Sequence, residues 1–361
     1  MNNLITRRLK TVLVLLLVVS SVSFAQFKDT NFLRSAPADG VKFVQAYFAP
    51  WANAFGAGLS GSWYNTAKPH KLGGFDITGG LNVGIVPTSA ETFDISKIGL
   101  SSSITGTGVT PTVAGPKSPV QTLTYQVGGQ TLAQFKTPEG SSLRFIPVPT
   151  LQLGIGLPLG TEVKLRYVPK INIDKGDISL WGVGLMHSIM QYLPGNKLLP
   201  LDVSIFGGYT KLSGNVPLNL QPDLTVIQNY TAPYSSTFKG QNMTLSITAL
   251  NVSAIASVNL KVITFYGGLG YAKTETLLKL QGSYPTPVLA AANILSPIPH
   301  AEYNNTGVKN GVDFPKMDIG NFSGLRANIG FRLKLAVLTI YADYTRAQYN
   351  VVSAGMGLSF R

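Results

Sequence analysis

The stretch FDITGGLNVGI, residues 75–85, constrains the chain more than any other. Phe75, Ile77, Leu81, Val83 and Ile85 share one parity, while Asp76, Thr78, Gly80, Asn82 and Gly84 share the other. Strand side chains point alternately to the two faces, so one face is oily and the other polar or bare. The pattern recurs at 144–158, 161–173, 200–213, 240–258 and 262–283, and in three runs that reach the end of the chain. At 177–187 the phase is ambiguous, because Leu180, Trp181 and Leu185 occupy both parities, and a parity change near Ala249 predicts a bulge there.

On the polar parity sit Asp76, Glu162, Lys164, Arg166, Asp202, Arg326, Arg332, Lys334 and Asp343. Unpaired charges in a soluble core cost several kcal/mol each. A watery or ion-paired barrel lumen accepts them, with the oily parity turned to lipid. A soluble β-sandwich is the competing fold. Only 12% of the residues are charged, against about 25% in soluble domains; this favours strands with a lipid-facing side.

The first 25 residues fit that address. Arg7, Arg8 and Lys10 precede the apolar run TVLVLLLVVSSVSFA, with Ser23 and Ala25 at the small positions of a cut before Gln26. The apolar part is shorter than the roughly 20 residues of a spanning helix. A signal peptide cleaved after Ala25 is therefore expected, which places the mature chain outside the cytoplasm. The chain has no cysteine, which excludes disulfides, thiolate metal sites and cysteine nucleophiles. The formal net charge is +13, yet no basic cluster with interleaved aromatics marks a nucleic-acid site; a basic surface beside acidic lipid headgroups is the better match.

Residues 26–66 precede the alternation. In SAPADGVKFVQAYFAPW, Val41, Val44, Phe48 and Trp51 recur at helical spacing with Pro50 near the end, which predicts a short amphipathic helix. FGAGLSGSWYNTA then reads as an extended Gly-rich piece. From residue 67 onward, short connections alternate with long polar ones at 88–142, 214–239 and 284–320. Such asymmetry is that of an outer-membrane barrel with short periplasmic turns. Ten strands close the parity; twelve result if FGAGLSGSWY and part of 121–137 join the wall, and fourteen is the upper bound. The expected architecture is an all-β antiparallel transmembrane barrel of 10–12 strands, with the N-terminal helix as plug in the lumen or across its mouth.

The segments QAYFAPWANAFGAGLSGSWYNTAKPHKLGGFDIT, WGVGLMHSIMQYLPGNKLLPLDVSIFGGYT and GMGLSFR resemble a family of uncharacterised outer-membrane barrels of the Bacteroidota. Barrels of this kind commonly end on an aromatic recognised by the barrel-assembly machinery; here Phe360 stands one residue short of the end. A luminal N-terminal segment is also similar, at fold level, to the hatch of long-chain fatty-acid-transporter barrels.

Chemistry is sparse. His70, His187 and His300 stand apart in sequence with no second metal ligand at ligand spacing, and no Gly-x-Ser-x-Gly elbow occurs. Neither catalytic residues, metal nor cofactor is expected. What remains is the luminal charge set with the plug. Either Arg166, Arg326, Arg332 and Lys334 attract an anionic headgroup along a route for a small or amphipathic solute, or the charges fill a narrow lumen. The expected function is a channel or uptake route; the alternative is a scaffold barrel whose long loops bind a partner protein or adhesion target, and a lipid-hydrolysing enzyme ranks last.

Overall fold

The computed structural model describes residues 37–127, 129–173, 176–192, 200–219, 239–282, 287–290, 300–303 and 316–360. The expected signal peptide, and most of 214–239 and 284–320, lie outside the described residues. Helix α1 (Pro37–Leu59) precedes ten barrel strands: β1 (Phe75–Ile85), β2 (Phe145–Leu157), β3 (Thr161–Ile173), β4 (Gly176–Ser188), β5 (Leu201–Pro217), β6 (Asn242–Leu260), β7 (Ile263–Gln281), β8 (Met317–Leu335), β9 (Leu338–Arg346) and β10 (Asn350–Phe360). Each strand pairs with its sequence neighbours, and β10 returns to β1 from Phe75↔Phe360 to Ile85↔Asn350, closing the barrel. Closure leaves no open edge in the ring, as a wall in hydrocarbon requires.

Ten strands is the count that the parity requires. The larger counts fail for a local reason. Phe55–Leu59 belong to α1, and 122–127 pairs with 130–136 in a small sheet within the 88–142 connection, away from the wall. That connection is no plain polar loop: Ile95, Ile104, Val113, Leu123 and Phe135 are buried in the same apolar cluster as α1. Val113 N–H donates to the Tyr47 carbonyl, and the Asp39 carboxylate accepts from Ser101 N–H. The helix N-terminus thus sits under the cap at the long-loop rim.

The outward face inverts that of a soluble protein. Leu325 is 82% exposed and Ile329 and Leu269 each 70%, all on one parity of adjacent strands. Phe75 and Phe360 stack at 4.9 Å at the short-turn rim, and Phe265 pairs with Phe331 on the outer face of β7 and β8. Tyr167, Trp181, Tyr271 and Tyr344 are exposed farther up the wall. The aromatic bands bound an apolar zone, the dress of a membrane-embedded barrel.

Two local expectations are corrected. The helix does not stop at Pro50 but continues to Leu59, and it is not amphipathic: Phe43, Val44, Tyr47, Phe48, Trp51, Ala54 and Phe55 are all buried, with Val41 partly so. A helix inside a ring has wall on every side, so it needs no polar face. Small residues let it fit: Ala52, Ala54, Gly56 and Gly58 lie against the strands, and a Cβ on Gly84 would run into the Ala54 carbonyl. Nor is there a bulge near Ala249; pairing of β6 with both neighbours is continuous through that position. The oily parity changes because Ile247 and Ala249 face inward onto α1, whereas Leu250 and Val252 face outward. The ambiguous phase of β4 has the same cause: Leu180 faces the helix and Trp181 the outside.

Candidate functional site

The lumen has two layers. Near the long-loop rim it is an apolar core built on α1, and below Leu59 it becomes polar around an extended segment, residues 60–74. The last carbonyls of a helix have no intrahelical donor and carry partial negative charge. Here two buried arginines from the wall supply what is missing. Arg166 on β3, 2% exposed, donates through Nη1 to the Leu59 carbonyl at 2.7 Å and through Nη2 to the Gly61 carbonyl at 2.6 Å. Its guanidinium lies 3.7 Å from the centre of the Trp63 ring, and Nε donates to Gln152 Oε1. Arg326 on β8 donates to the Ser60 carbonyl at 2.6 Å. Asn82 on β1 holds the Gly58 carbonyl at 2.9 Å.

Below the helix end, every side of the wall contributes. Gln152 donates to the Trp63 carbonyl, Tyr64 Oη to Asn328 Oδ1 at 2.7 Å, Arg332 to Asn65 Oδ1 at 3.1 Å, and Ser204 Oγ to the Ala67 carbonyl. Ser257 Oγ accepts from Ala67 N–H. Trp63, Tyr64, Phe206 and Tyr266 form an aromatic cluster beneath, where the missing side chains of Gly184 and Gly208 leave the room it fills. Tyr266 Oη donates to Asp343 at 3.0 Å.

His70 does not stand apart in space. The fold brings it to Asp76 and Glu162, with ligand-capable atoms of all three within 4.8 Å of one another. Its ring Nδ1 and its backbone N–H both meet Glu162 Oε2, at 2.9 and 2.8 Å, and Nε2 lies 3.0 Å from Ser359 Oγ. Spacing alone could not show this, because the partners come from three strands. Small cations use such donors, but Lys164 is already ion-paired to the other Glu162 oxygen. The cluster therefore serves as a latch that ties the foot of the plug to β1, β3 and β10.

Of the nine charges expected in the lumen, Asp76, Glu162, Lys164, Arg166, Arg326 and Asp343 are buried there. Arg332 lies lower and is half-buried, and Asp202 and Lys334 sit at the short-turn rim, held by Asn259 and Ser359. Of the two alternatives, anion attraction and a filled lumen, the contacts of Arg166 and Arg326 fit the second: both donate to plug carbonyls, and Arg166 Nε reaches Gln152 and Arg326 Nη2 reaches Thr345 on the wall. Sequence reading missed the backbone grip itself; the signal was two arginines on the polar parity of an apolar barrel, opposite a helix ending in Gly-x-Gly.

A sequence profile described as "Family of unknown function (DUF6588)" matches residues 1–360. No curated protein matches the chain. Among solved structures, the translocator domain of the autotransporter NalP from Neisseria meningitidis aligns at 12% identity over 85% of this chain and 93% of that one, TM-score 0.25. Ail, the attachment invasion locus protein of Yersinia pestis, aligns at 8% identity over 80% and 98%, TM-score 0.24. A Pseudomonas aeruginosa FadL homologue aligns at 10% identity over 79% and 89%, TM-score 0.19. The ten-stranded closure rests on the chain's own strand pairing.

Proposed function

The chain belongs to the family of unknown function DUF6588, and for it we propose a plugged barrel of the bacterial outer membrane that takes up a small amphipathic solute and is closed to free aqueous diffusion at rest. The observation that carries this reading is the arginine grip: Arg166 and Arg326 hold the carbonyls of Leu59, Ser60 and Gly61 at 2.6–2.7 Å in the middle of the lumen. A water-filled pore gains nothing from a buried helix whose end is capped by the wall, whereas a gate needs a defined closed state. The expected leader peptide, the apolar outer face and the three long connections fit the outer membrane, with the β10 end at Phe360 as the segment read by the assembly machinery. No catalytic step belongs to this reading.

Planar-bilayer recording tests it. The full chain is expected to show no steady conductance, and Arg166→Ala/Arg326→Ala to show stepwise openings as the plug loosens. A steady open conductance in the unaltered protein would remove the plug from the account. Failure of reconstituted vesicles to take up a fluorescent fatty acid would remove the uptake part.

A second reading has one observation in its favour. Residues 88–142 fold into small sheets that cap α1, which is more order than a pore rim needs. In a surface scaffold this cap would bind a partner protein. A cap-deleted barrel that still folds and loses a partner, with no change in uptake, would favour it.

A further inference from the structure

The latch at the foot of the plug has one more member than a fastening needs. Asp76, Gly154 and Lys164 stand in register across β1, β2 and β3, and Ser359 of β10 faces Asp76 from the other side, all on the inward parity. Gly154 keeps the row open: a Cβ there would lie 2.2 Å from Asp76 Oδ1 and 2.7 Å from Glu162 Oε1. His70, carried in by the plug segment, lies between Glu162 and Ser359.

An ionised carboxylate only accepts hydrogen bonds. Glu162 is ion-paired through Oε1 with Lys164, and Oε2 takes both the backbone N–H of His70 at 2.8 Å and its ring Nδ1 at 2.9 Å. The proton of the neutral ring therefore sits on Nδ1, and the lone pair of Nε2 is aimed at Ser359 Oγ, 3.0 Å away. Asp76 Oδ1, buried and without a hydrogen-bond donor, lies 3.7 Å from Nδ1. Hydroxyl, imidazole and carboxylate in that order, each within hydrogen-bond reach, are the parts of an activated serine nucleophile. Both carboxylates stand where positive charge develops when the ring takes the serine proton. His187 differs: its ring meets Thr161, Tyr192 and Gln191, and no carboxylate among the described residues.

Two further features face the serine, whose residue is 4% exposed. Lys334 Nζ, at the short-turn mouth, lies 3.4 Å from Ser359 Oγ. Its ammonium is a point charge on a flexible stem; swung from the hydroxyl to a carbonyl oxygen bound beside it, it clears the approach from the mouth and meets the negative charge that forms there. Apolar side chains are exposed around the same spot: Leu72, two residues after His70, Leu335 beside Lys334, Phe360 beside Ser359, and Val337, whose carbonyl accepts from Ser359 N–H at 2.7 Å. An acyl chain has a surface to lie on there.

We propose that Ser359, His70 and Glu162 form a hydrolytic site for carboxylic esters of apolar acyl chains, entered from the short-turn mouth. Ser359 Oγ adds to the ester carbonyl carbon as its proton passes to His70 Nε2. The carbon–oxygen bond to the alcohol then breaks, the alcohol leaves with that proton, and the acyl group stays on Oγ. Water adds to the acyl carbon, its proton passing through Nε2 back to Oγ as the carboxylic acid leaves. Glu162 is the positioning residue of the ring, and Lys334 holds the oxyanion. The inference goes beyond the uptake reading and does not use it: neither conductance nor vesicle uptake is its readout.

Covalent labelling and turnover test it together. The full folded chain is treated with an alkyl fluorophosphonate and the adduct mapped by mass spectrometry, and hydrolysis of p-nitrophenyl butyrate is followed in parallel. An adduct on Ser359 and steady turnover are expected. Ser359→Ala and His70→Gln should each lower kcat at least about a hundredfold, and Lys334→Met about a hundredfold, with heat-modifiable gel mobility showing that each is folded. The adduct site is read on the unaltered protein, so it holds even where a variant fails to fold. Absence of the adduct or of turnover in the folded unaltered protein, or turnover that survives in folded Ser359→Ala protein, overturns the site and leaves the cluster a latch.

Discussion

The two halves of the lumen solve one problem in opposite ways. Near the long-loop rim the wall meets a helix whose backbone is already hydrogen-bonded, so it offers Ile247, Leu180, Leu212 and Phe322 and excludes water by packing. Below Leu59 the segment 60–74 has no internal ladder, and the wall switches to Asn251, Ser204, Arg166 and Arg326. β6 shows the exchange on a single inward face: Ile247 and Ala249 above, Asn251 and Ser253 below. Wall composition follows the secondary structure of what it encloses, since buried backbone groups must find partners. An inward charge in such a barrel is therefore read first against the plug's backbone, and only then against a passing solute.

Substitutions can break this division. The largest effect is expected at Arg166→Ala, which leaves the buried carbonyls of Leu59 and Gly61 without their donor; a loss of about 4 kcal/mol follows, measured as a lower midpoint in urea unfolding from vesicles and accompanied by conductance. Placing the lower layer's chemistry in the upper one comes next. Ile247→Asn replaces a fully buried apolar side chain against α1 with an amide, at a cost of about 3 kcal/mol. The reverse exchange on the same face, Asn251→Ile, is expected to cost only about 1 kcal/mol, because the Ser60 carbonyl keeps Arg326. If the two exchanges in β6 cost the same, the layers are not distinct.

Much of the wall was legible from residues alone. Alternation at β1, β2, β3 and β8–β10 gave parity, and parity gave ten strands and an oily outside. What misled was the assumption that one face stays oily along a whole strand. The change at Ala249 and the double phase at Leu180–Trp181 were signs of a helix in the lumen, and a local pattern cannot tell these from a bulge. Helix α1 was visible at Val44, Phe48 and Trp51, but Pro50 and the glycines after it argued for an end that the surrounding wall overrides. The His70–Asp76–Glu162 latch and the arginine grip join positions far apart in the chain, so no spacing rule could reach them.

The central claim is that the N-terminal helix and the segment after it fill the lumen of a membrane-embedded wall, and the chain's three tryptophans report on it directly. Trp51 and Trp63 are 3% and 1% exposed inside the barrel, and Trp181 is 49% exposed on the outer face. In vesicles of brominated phosphatidylcholine, Trp51→Phe/Trp63→Phe protein, which keeps only Trp181, is expected to lose most of its fluorescence. Trp181→Phe protein is expected to keep nearly all of its fluorescence, both there and in the presence of aqueous iodide. Strong quenching of the Trp181→Phe protein by bromolipid would place the helix outside the wall, and strong quenching by iodide would open the lumen to water; either result contradicts the account.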